Sequence, residues 1–198
     1  MINNKDHPFS DSDLKRLCDI ESGPKLLDCY KIQFMEKCPE YYQPENERIA
    51  GDLWIPLTSF SDDKLSDLED SIPYEWLGNR TYDFPEHPDQ IDPVLLKETS
   101  IKKSLIFQKM NYLTNESEII YFSERNGIRP SLRFICNGIR YKLKITDITI
   151  SQSPSSRPVT QRLHSAYATI GLGQPYDKAH GAHFKLVVGI IKTKEGIR

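Results

Sequence analysis

An Asn-Gly dipeptide between two alternating runs constrains the fold of this chain more than any other feature of its sequence. The dipeptide is Asn137-Gly138, and the runs beside it cover residues 131–136 and 139–146. Asn-Gly is the preferred pair for a two-residue type I′ turn, because both central residues of that turn need a positive φ. The sequence therefore predicts a β-hairpin, and the position of its turn sets the register of every pair across it.

The predicted register gives the hairpin one apolar face and one basic face. On the apolar face, Phe134 lies opposite Tyr141 and Leu132 lies opposite Leu143. The cations of the other face are Arg133, Arg140, Lys142 and Lys144. Arg133 and Lys142 face each other, and like charges directly across a strand pair destabilise it. Two interpretations stay open: an anionic partner binds this face, or the face is solvated and its charges discourage edge-to-edge aggregation.

The charges of the chain are distributed unevenly between its two halves. Residues 1–99 contain 10 Lys and Arg against 22 Asp and Glu, which is a net charge of -12. Residues 100–198 contain 16 against 6, which is a net charge of +10. A charge asymmetry of this kind favours a polyanionic partner for the basic half, although the halves could also pack together and neutralise each other.

Composition and cysteine spacing argue against a membrane protein and a metal protein. No apolar run approaches the roughly 18–20 residues of a membrane helix, and the polar N-terminus has no secretory apolar region. We therefore expect a cytoplasmic protein with no membrane partner. The four cysteines lack a CxxC spacing, so we expect free thiols, no metal site and no cofactor. These cysteines are Cys18, Cys29, Cys38 and Cys136.

The pattern along the chain predicts a mainly β protein, a β-rich α+β class with a few short helices. In the first half we expect a strand at 26–35, an acidic helix at 61–71 with Leu65 and Leu68 inward, and a loop or insertion at 78–93. In the second half we expect strands, besides the hairpin, at 104–109, 118–123, 166–172 and 184–192, with turns at 124–127 and 173–175 and a Ser/Pro-rich loop at 151–160.

The last of these strands is apolar and β-branched, so it should be central, with a bulge at Gly189. Short strands of this number suit small antiparallel barrels or sheets of the OB type. At 198 residues the chain is one domain or two small ones, and in the second case the charge asymmetry divides it into an acidic unit at 1–99 and a basic unit at 100–198.

No nucleotide-binding or hydrolase motif occurs in the chain, and the remaining clusters are weak as catalytic sites. Glu86, His87 and Asp89 lie in a polar loop without a nucleophile, so we lean towards a non-catalytic protein. The loop at 41–46 contains two tyrosines and is either an anchoring turn or a ligand loop. His180 and His183 are incidental or structural, or they line a phosphate-contacting loop together with neighbouring lysines.

A site for single-stranded nucleic acid needs a cationic groove and aromatic rings on which bases can stack. The hairpin cations could supply the groove. Of the rings in the basic half, Tyr167 and Tyr176 lie nearest to predicted loops, and Lys178 and Lys185 lie near them in sequence. The predicted site therefore consists of Arg133, Arg140, Lys142, Lys144, Tyr167, Tyr176, Lys178 and Lys185.

Several stretches together resemble a known family. They are Leu26-Leu27-Asp28, Tyr42 to Asn46, the hairpin ending in Thr146-Asp147, Gly171 to Pro175, and Lys185-Leu186-Val187. In this order they resemble bacterial proteins that contain a dual OB-containing domain, over about residues 10–192. The resemblance implies two OB-like modules and a role in nucleic-acid binding or modification.

The chain also departs from the family pattern. The Ser-Arg-Lys and Gly-Gly-Arg-Cys segment of the family, and its Trp-Ile-Arg-Pro segment, do not appear in this sequence. If activity depends on them, the resemblance implies a binding-only variant, an inhibitor or a subunit. The leading function is therefore non-catalytic binding of single-stranded nucleic acid or a nucleotide.

The alternative function is a protein-interaction factor, such as an antitoxin, an anti-defence inhibitor or a complex subunit. Such a factor would bind a basic partner protein through the acidic half. The acidic residues that we expect to contact this partner are Asp62, Asp63, Asp67, Glu69 and Asp70.

Overall fold

A computed structural model describes most of the chain as a β-rich structure with short helices. The described residues are 11–18, 25–50, 53–70, 76–81, 83–84, 87–124, 127–147, 149–150 and 159–193. The strands within them are β1 (Asp28–Lys31), β2 (Phe34–Lys37), β3 (Glu47–Ile49), β4 (Ile55–Ser59), β5 (Asp83–Phe84), β6 (His87–Ile91), β7 (Leu105–Met110), β8 (Glu118–Glu124), β9 (Gly127–Cys136), β10 (Ile139–Ile145), β11 (Val159–Arg162), β12 (Ala166–Tyr176) and β13 (Ala182–Lys192). The helices are α1 (Asp11–Cys18), α2 (Pro93–Thr99) and α3 (Tyr112–Asn115), with 3-10 helices at Asp62–Leu68 and Asp177–Ala179.

One nine-stranded sheet contains the strands of the second half together with β5 and β6. Seven of its strands follow the order β11-β8-β9-β10-β13-β12-β7, while β6 pairs with both β13 and β5. The pair β10–β13 is parallel, and the other pairs of the sheet are antiparallel. The middle of this order, β8-β9-β10-β13-β12, is that of the five-stranded Greek-key OB barrel.

Backbone hydrogen bonds bring the two ends of this sheet together. The Tyr112 N–H, just after β7, donates to the Leu163 carbonyl at 2.6 Å, and the Leu163 N–H donates to the Ser117 carbonyl, just before β8, at 3.0 Å. Because β7 and β8 lie in different parts of the strand order, these bonds require the sheet to curl. The curl puts the apolar sides of the strands inside, where Leu132, Phe134 and other hairpin residues are buried.

The hairpin forms with the predicted turn and register. The φ angles of Asn137 and Gly138 are 49° and 76°, as a type I′ turn requires. Phe134 pairs with Tyr141, and Lys142 pairs with Arg133. The predicted two-faced hairpin is therefore confirmed, including its pair of like charges.

The prediction that the last apolar strand is central is also confirmed. β13 lies between β12 on one side and β10 and β6 on the other. The register with β12 shifts after the pair Thr169–Gly189, because the next pair is Ile170–Val187. This shift is the bulge predicted at Gly189, and it adds local bend to a strongly curved sheet.

Other sequence predictions are corrected by the structure. The predicted loop at 78–93 contains β5 and β6. The pairing of β6 with β13 and with β5 makes strands of a polar, proline-containing sequence. The predicted strand at 26–35 is two strands, and Leu68 is 52% exposed and not inward. β12 continues through the predicted turn at 173–175 as far as Tyr176. Most of the predicted Ser/Pro-rich loop, residues 151–158, lies outside the described residues.

Helix α2 begins where local chemistry favours a helix start. The Asp92 carboxylate accepts from the Val94 N–H at 2.7 Å, and Pro93 occupies the first turn, where its missing N–H costs nothing. Leu96 of this helix is fully buried in the core.

The strands β1 with β4 and β2 with β3 form two further two-stranded sheets. The nine-stranded sheet thus takes strands from both sides of residue 99, and the division into two OB-like units at that residue stays a prediction.

Candidate nucleic-acid interface

Three of the four cations predicted from the hairpin line one concave site. Arg133 of β9 and Arg140 and Lys142 of β10 surround a cavity of about 340 Å³. Strand β6 forms another wall of this cavity with Pro88 and Asp89, and Tyr141 also contributes to the lining. Arg133 and Lys142 are direct partners in the hairpin register, so their charges are close neighbours on the outer face.

Each of the three cations already has a partner within the protein. Arg133 donates to Glu118 of β8 at 2.8 Å, and Arg140 lies 3.6 Å from the Glu116 carboxylate. The Lys142 ammonium lies 3.8 Å from the centroid of the Phe122 ring. The Arg140–Glu116 pair is exposed on both sides, and exposed ion pairs contribute little to stability. Such a pair can exchange its carboxylate for a phosphate at small cost.

The other predicted surface residues lie outside this cavity. Lys144 is exposed near the end of β10, where it pairs with Leu186 of β13. Tyr176 ends β12, is 47% exposed and makes an edge contact with Phe184. Lys178 is exposed in the 3-10 helix between β12 and β13. This connection corresponds to the loop between the fourth and fifth OB strands, which is one of the ligand-binding loops of that fold.

Tyr167 does not offer the accessible ring that we predicted. The residue is 4% exposed, and its ring stacks on that of Phe107 of β7 with centroids 5.1 Å apart and an angle of 7° between the planes. A neighbouring strand therefore covers the ring, and the prediction of a base-stacking Tyr167 is wrong in this respect.

Lys185 is likewise buried, with 1% of its surface exposed. Its side chain points to the same side of β13 as the core, where the ammonium donates to the Pro88 carbonyl at 3.0 Å. The ammonium also lies 4.9 Å from the centroid of the Tyr141 ring. The predicted surface contact is therefore corrected: Lys185 connects β6 to β10, the two strands on either side of the cavity.

The tyrosine loop at 41–46 is an anchoring turn. The Tyr41 hydroxyl donates to Nε2 of His183 at 2.8 Å, and Nδ1 of His183 donates to the Gly173 carbonyl at 2.9 Å. Because a carbonyl only accepts, Nδ1 carries the proton and Nε2 is the acceptor. His183 is fully buried, and burial lowers its pKa, with a smaller contribution from the Lys97 charge. His183 is therefore a neutral residue of the core and not a phosphate contact.

The same loop is held at a second point. The Glu45 carboxylate accepts from the backbone N–H of Ser104 at 2.7 Å and from its hydroxyl at 2.5 Å. Burial raises the pKa of both Tyr41 and Tyr42. These contacts settle the two interpretations of the loop in favour of the anchoring turn.

Two of the five acidic residues that we expected to contact a partner protein instead make hydrogen bonds to β7. Glu69 accepts from the Gln108 side chain at 3.0 Å and from the Lys109 N–H at 3.2 Å. Asp70 accepts from the Phe107 N–H at 2.9 Å and pairs with Lys103. Both residues thus bind β7. Of the other three, which lie on the 3-10 helix at 62–68, Asp63 and Asp67 are exposed and Asp62 is half-buried.

Two sets of residues around the cavity were not predicted to belong to this site, although Asp89 was considered as a weak catalytic candidate. The position of Glu118 opposite Arg133 could have been predicted from the sequence. If Glu124 pairs with Gly127 at the predicted turn, the register of the two strands puts Glu118 opposite Arg133, as observed. Pro88 and Asp89 had no such signal, because their place depends on the pairing of β6 with β13.

The described residues show no metal cluster and no membrane helix. No group of three or more His, Cys, Asp or Glu side chains that could hold a metal ion occurs among them. No helix in the described part of the chain is long and apolar enough to cross a membrane. The four cysteines are free.

The comparison with protein families agrees with the fold. The model of the dual OB-containing domain matches residues 2–190. The comparisons with curated proteins and with solved structures give no match. The matched family, the strand order of the large sheet and its basic second-to-third-strand hairpin point the same way: this chain belongs to the dual OB-containing domain family.

Proposed function

We propose that this protein binds single-stranded nucleic acid across the outer face of the β9–β10 hairpin. The observation that carries the proposal is the cavity lined by Arg133, Arg140 and Lys142. This hairpin consists of the second and third strands of the OB order, the face with which OB domains bind oligonucleotides. Lys144 extends the cationic face towards β13, and Tyr176 supplies an exposed ring at the β12–β13 connection.

Electrostatics supports a phosphate as the occupant of the cavity. A phosphate could replace Glu116 as the partner of Arg140, because that pair is exposed and 3.6 Å long. Arg binds phosphate oxygens through two parallel hydrogen bonds, which a surface carboxylate at this distance does not fully satisfy. Phosphate contacts release counterions, so the affinity should fall steeply as salt is added.

A protein partner for the acidic residues has weaker support. Glu69 and Asp70 are occupied by β7, so the acidic surface is smaller than the sequence alone indicates. The basic face, by contrast, is concave and combines three cations in one place. We therefore propose nucleic acid as the ligand.

The test is the binding of a fluorescently labelled oligo(dT) of about 12 nucleotides, a length within the range that OB folds cover. Fluorescence anisotropy at several salt concentrations gives the affinity and its salt dependence. The variants Arg140→Ala and Lys142→Ala should each weaken binding and reduce the slope of log K against log salt by about 1.

The matched control is Arg48→Ala. Arg48 is an exposed arginine that pairs with Glu36 in the β2–β3 sheet, so the variant loses the same charge and a similar ion pair elsewhere. We expect its affinity to equal that of the wild type. Binding that does not respond to salt, or an equal loss in all three variants, contradicts the proposal.

A further inference from the structure

The cavity under the basic face also contains a carboxylate that phosphate binding does not use. Asp89 lines the cavity together with Arg133, Arg140 and Lys142, and it is half-buried. Among the described residues, no hydrogen bond or ion pair holds the Asp89 carboxylate, although Arg133 and Arg140 in the same cavity pair with Glu118 and Glu116. An acceptor with two oxygens is thus left open next to three cations.

The backbone on both sides of Asp89 is fixed. The Pro88 carbonyl accepts a hydrogen bond from the buried Lys185 ammonium at 3.0 Å, and Gln90 and Ile91 pair with Phe184 and His183 of β13. These contacts hold β6 at the edge of the cavity. The carboxylate is therefore presented from a rigid strand and not from a free loop, which favours a role in orienting a ligand.

We propose that Asp89 selects the base of the nucleotide that occupies this cavity, and that the preferred base is guanine; this inference rests on the proposed function. An ionised carboxylate only accepts hydrogen bonds. The Watson–Crick edge of guanine presents two neighbouring donors, N1–H and the N2 amino group, which match the two oxygens of a carboxylate. Adenine and cytosine present a donor next to an acceptor, and thymine presents one donor between two carbonyls.

The size and charge of the cavity agree with a single nucleotide unit. Its volume of about 340 Å³ lies at the lower end of the range for small-molecule sites. The carboxylate repels a phosphate, so the phosphate should lie against Arg133, Arg140 and Lys142 while the base edge meets Asp89. Single-stranded ligands make this possible, because their Watson–Crick edges are free.

The experiment compares oligonucleotides that differ in one base. The probes are a labelled oligo(dT) and the same oligo with one central dG, deoxyinosine or dA. We expect the dG probe to bind about five- to a hundredfold more tightly than oligo(dT), the range of one bidentate base contact. Deoxyinosine lacks the N2 amino group, so its affinity should lie between those of dG and dT.

The variant Asp89→Asn keeps the shape of the side chain and removes the second acceptor. It should lose the preference for dG and bind the dA probe at least as tightly as the dG probe, because an amide offers one donor and one acceptor, and it should keep the salt-dependent binding of oligo(dT). The control Asp67→Asn makes the same change on the exposed 3-10 helix and should keep the preference for dG. Thermal melting of the variants checks that they are folded.

The outcomes separate this inference from the proposed function. Salt-dependent binding of oligo(dT) without a preference for dG overturns the role of Asp89 alone. A preference for dG that survives in Asp89→Asn also overturns it. The absence of salt-dependent binding to every probe overturns both proposals.

Discussion

Two glycines, one in the hairpin turn and one packed under it, have positive φ angles for different structural reasons. Gly138, at a φ of 76°, is the second turn residue, and a Cβ atom built on it would meet no atom within 4 Å. Gly78, at a φ of 73°, packs under the turn, and its Cβ would lie 2.8 Å from Sγ of Cys136. The Gly78 N–H donates to the Tyr141 hydroxyl at 2.9 Å, and Asn137 donates to the Gly78 carbonyl at 3.3 Å.

The difference between these glycines predicts different costs for the same substitution. Gly138→Ala should lower the free energy of unfolding by about 1–2 kcal/mol, the cost of a left-handed conformation for an alanine. Gly78→Ala adds a steric clash to this cost, so its loss should be larger. Urea denaturation of both variants measures the two values. Equal losses would show that the packing of Gly78 under the turn is loose.

At the scale of elements, the outer edge of the large sheet is covered by a turn from the acidic half. β7 is the last strand of the order, so one of its edges has no further strand beside it among the residues that the structure describes. The Asp70 N–H donates to the Phe107 carbonyl at 2.9 Å, and the Asp70 carboxylate accepts from the Phe107 N–H at 2.9 Å. An uncovered edge is a template for aggregation, and this turn satisfies part of it.

Removal of the edge contact should destabilise the sheet. In Asp70→Ala the Phe107 N–H loses its acceptor and Lys103 loses its contact with Asp70, so we expect a loss of about 1–3 kcal/mol in the free energy of unfolding. Asp67→Ala is the control, because Asp67 is exposed on the neighbouring 3-10 helix. Urea denaturation compares the two, and a similar stability for both variants would rule out a stabilising role for this turn.

At the scale of the whole molecule, the acidic half and the large sheet are joined through a buried histidine. Tyr41 and Tyr42 contact the His183 ring, with ring centroids 5.4 and 4.9 Å apart. Lys97 lies over the Tyr41 ring at 4.8 Å. Burial is the main reason that the pKa of His183 is lowered. The contact between the halves therefore requires a neutral imidazole.

This requirement predicts a loss of stability at acidic pH. The unfolded chain binds a proton at His183 below a pH of about 6.5, while the folded chain resists it until the pH passes its lowered pKa. The free energy of unfolding should therefore fall as the pH decreases from about 7 towards that lower value.

The variant His183→Gln has no titrating group at this position. It should be less stable than the wild type near neutral pH, and the difference should narrow as the solution is acidified. Denaturation of both proteins across this pH range measures the difference. A difference that does not change with pH would contradict the titration of His183.

The sequence by itself determined the features that depend on neighbouring residues. The Asn137-Gly138 turn is a matter of local φ preference, and the turn position then determines the register and the two faces of the hairpin. The signal for α2, an Asp-Pro pair at its start, was also present at residues 92–93 but lay at the end of a proline-rich segment that we predicted to be a loop.

Only the tertiary structure decided which predicted residues can reach a ligand. Arg133, Arg140 and Lys142 stay on the outer face, whereas Lys185 and Tyr167 are buried by strands that are distant in sequence. Asp89 enters the same cavity because β6 pairs with β13, across about 95 residues of chain. Burial depends on what packs against a side chain, and the residues next to it in sequence do not contain that information.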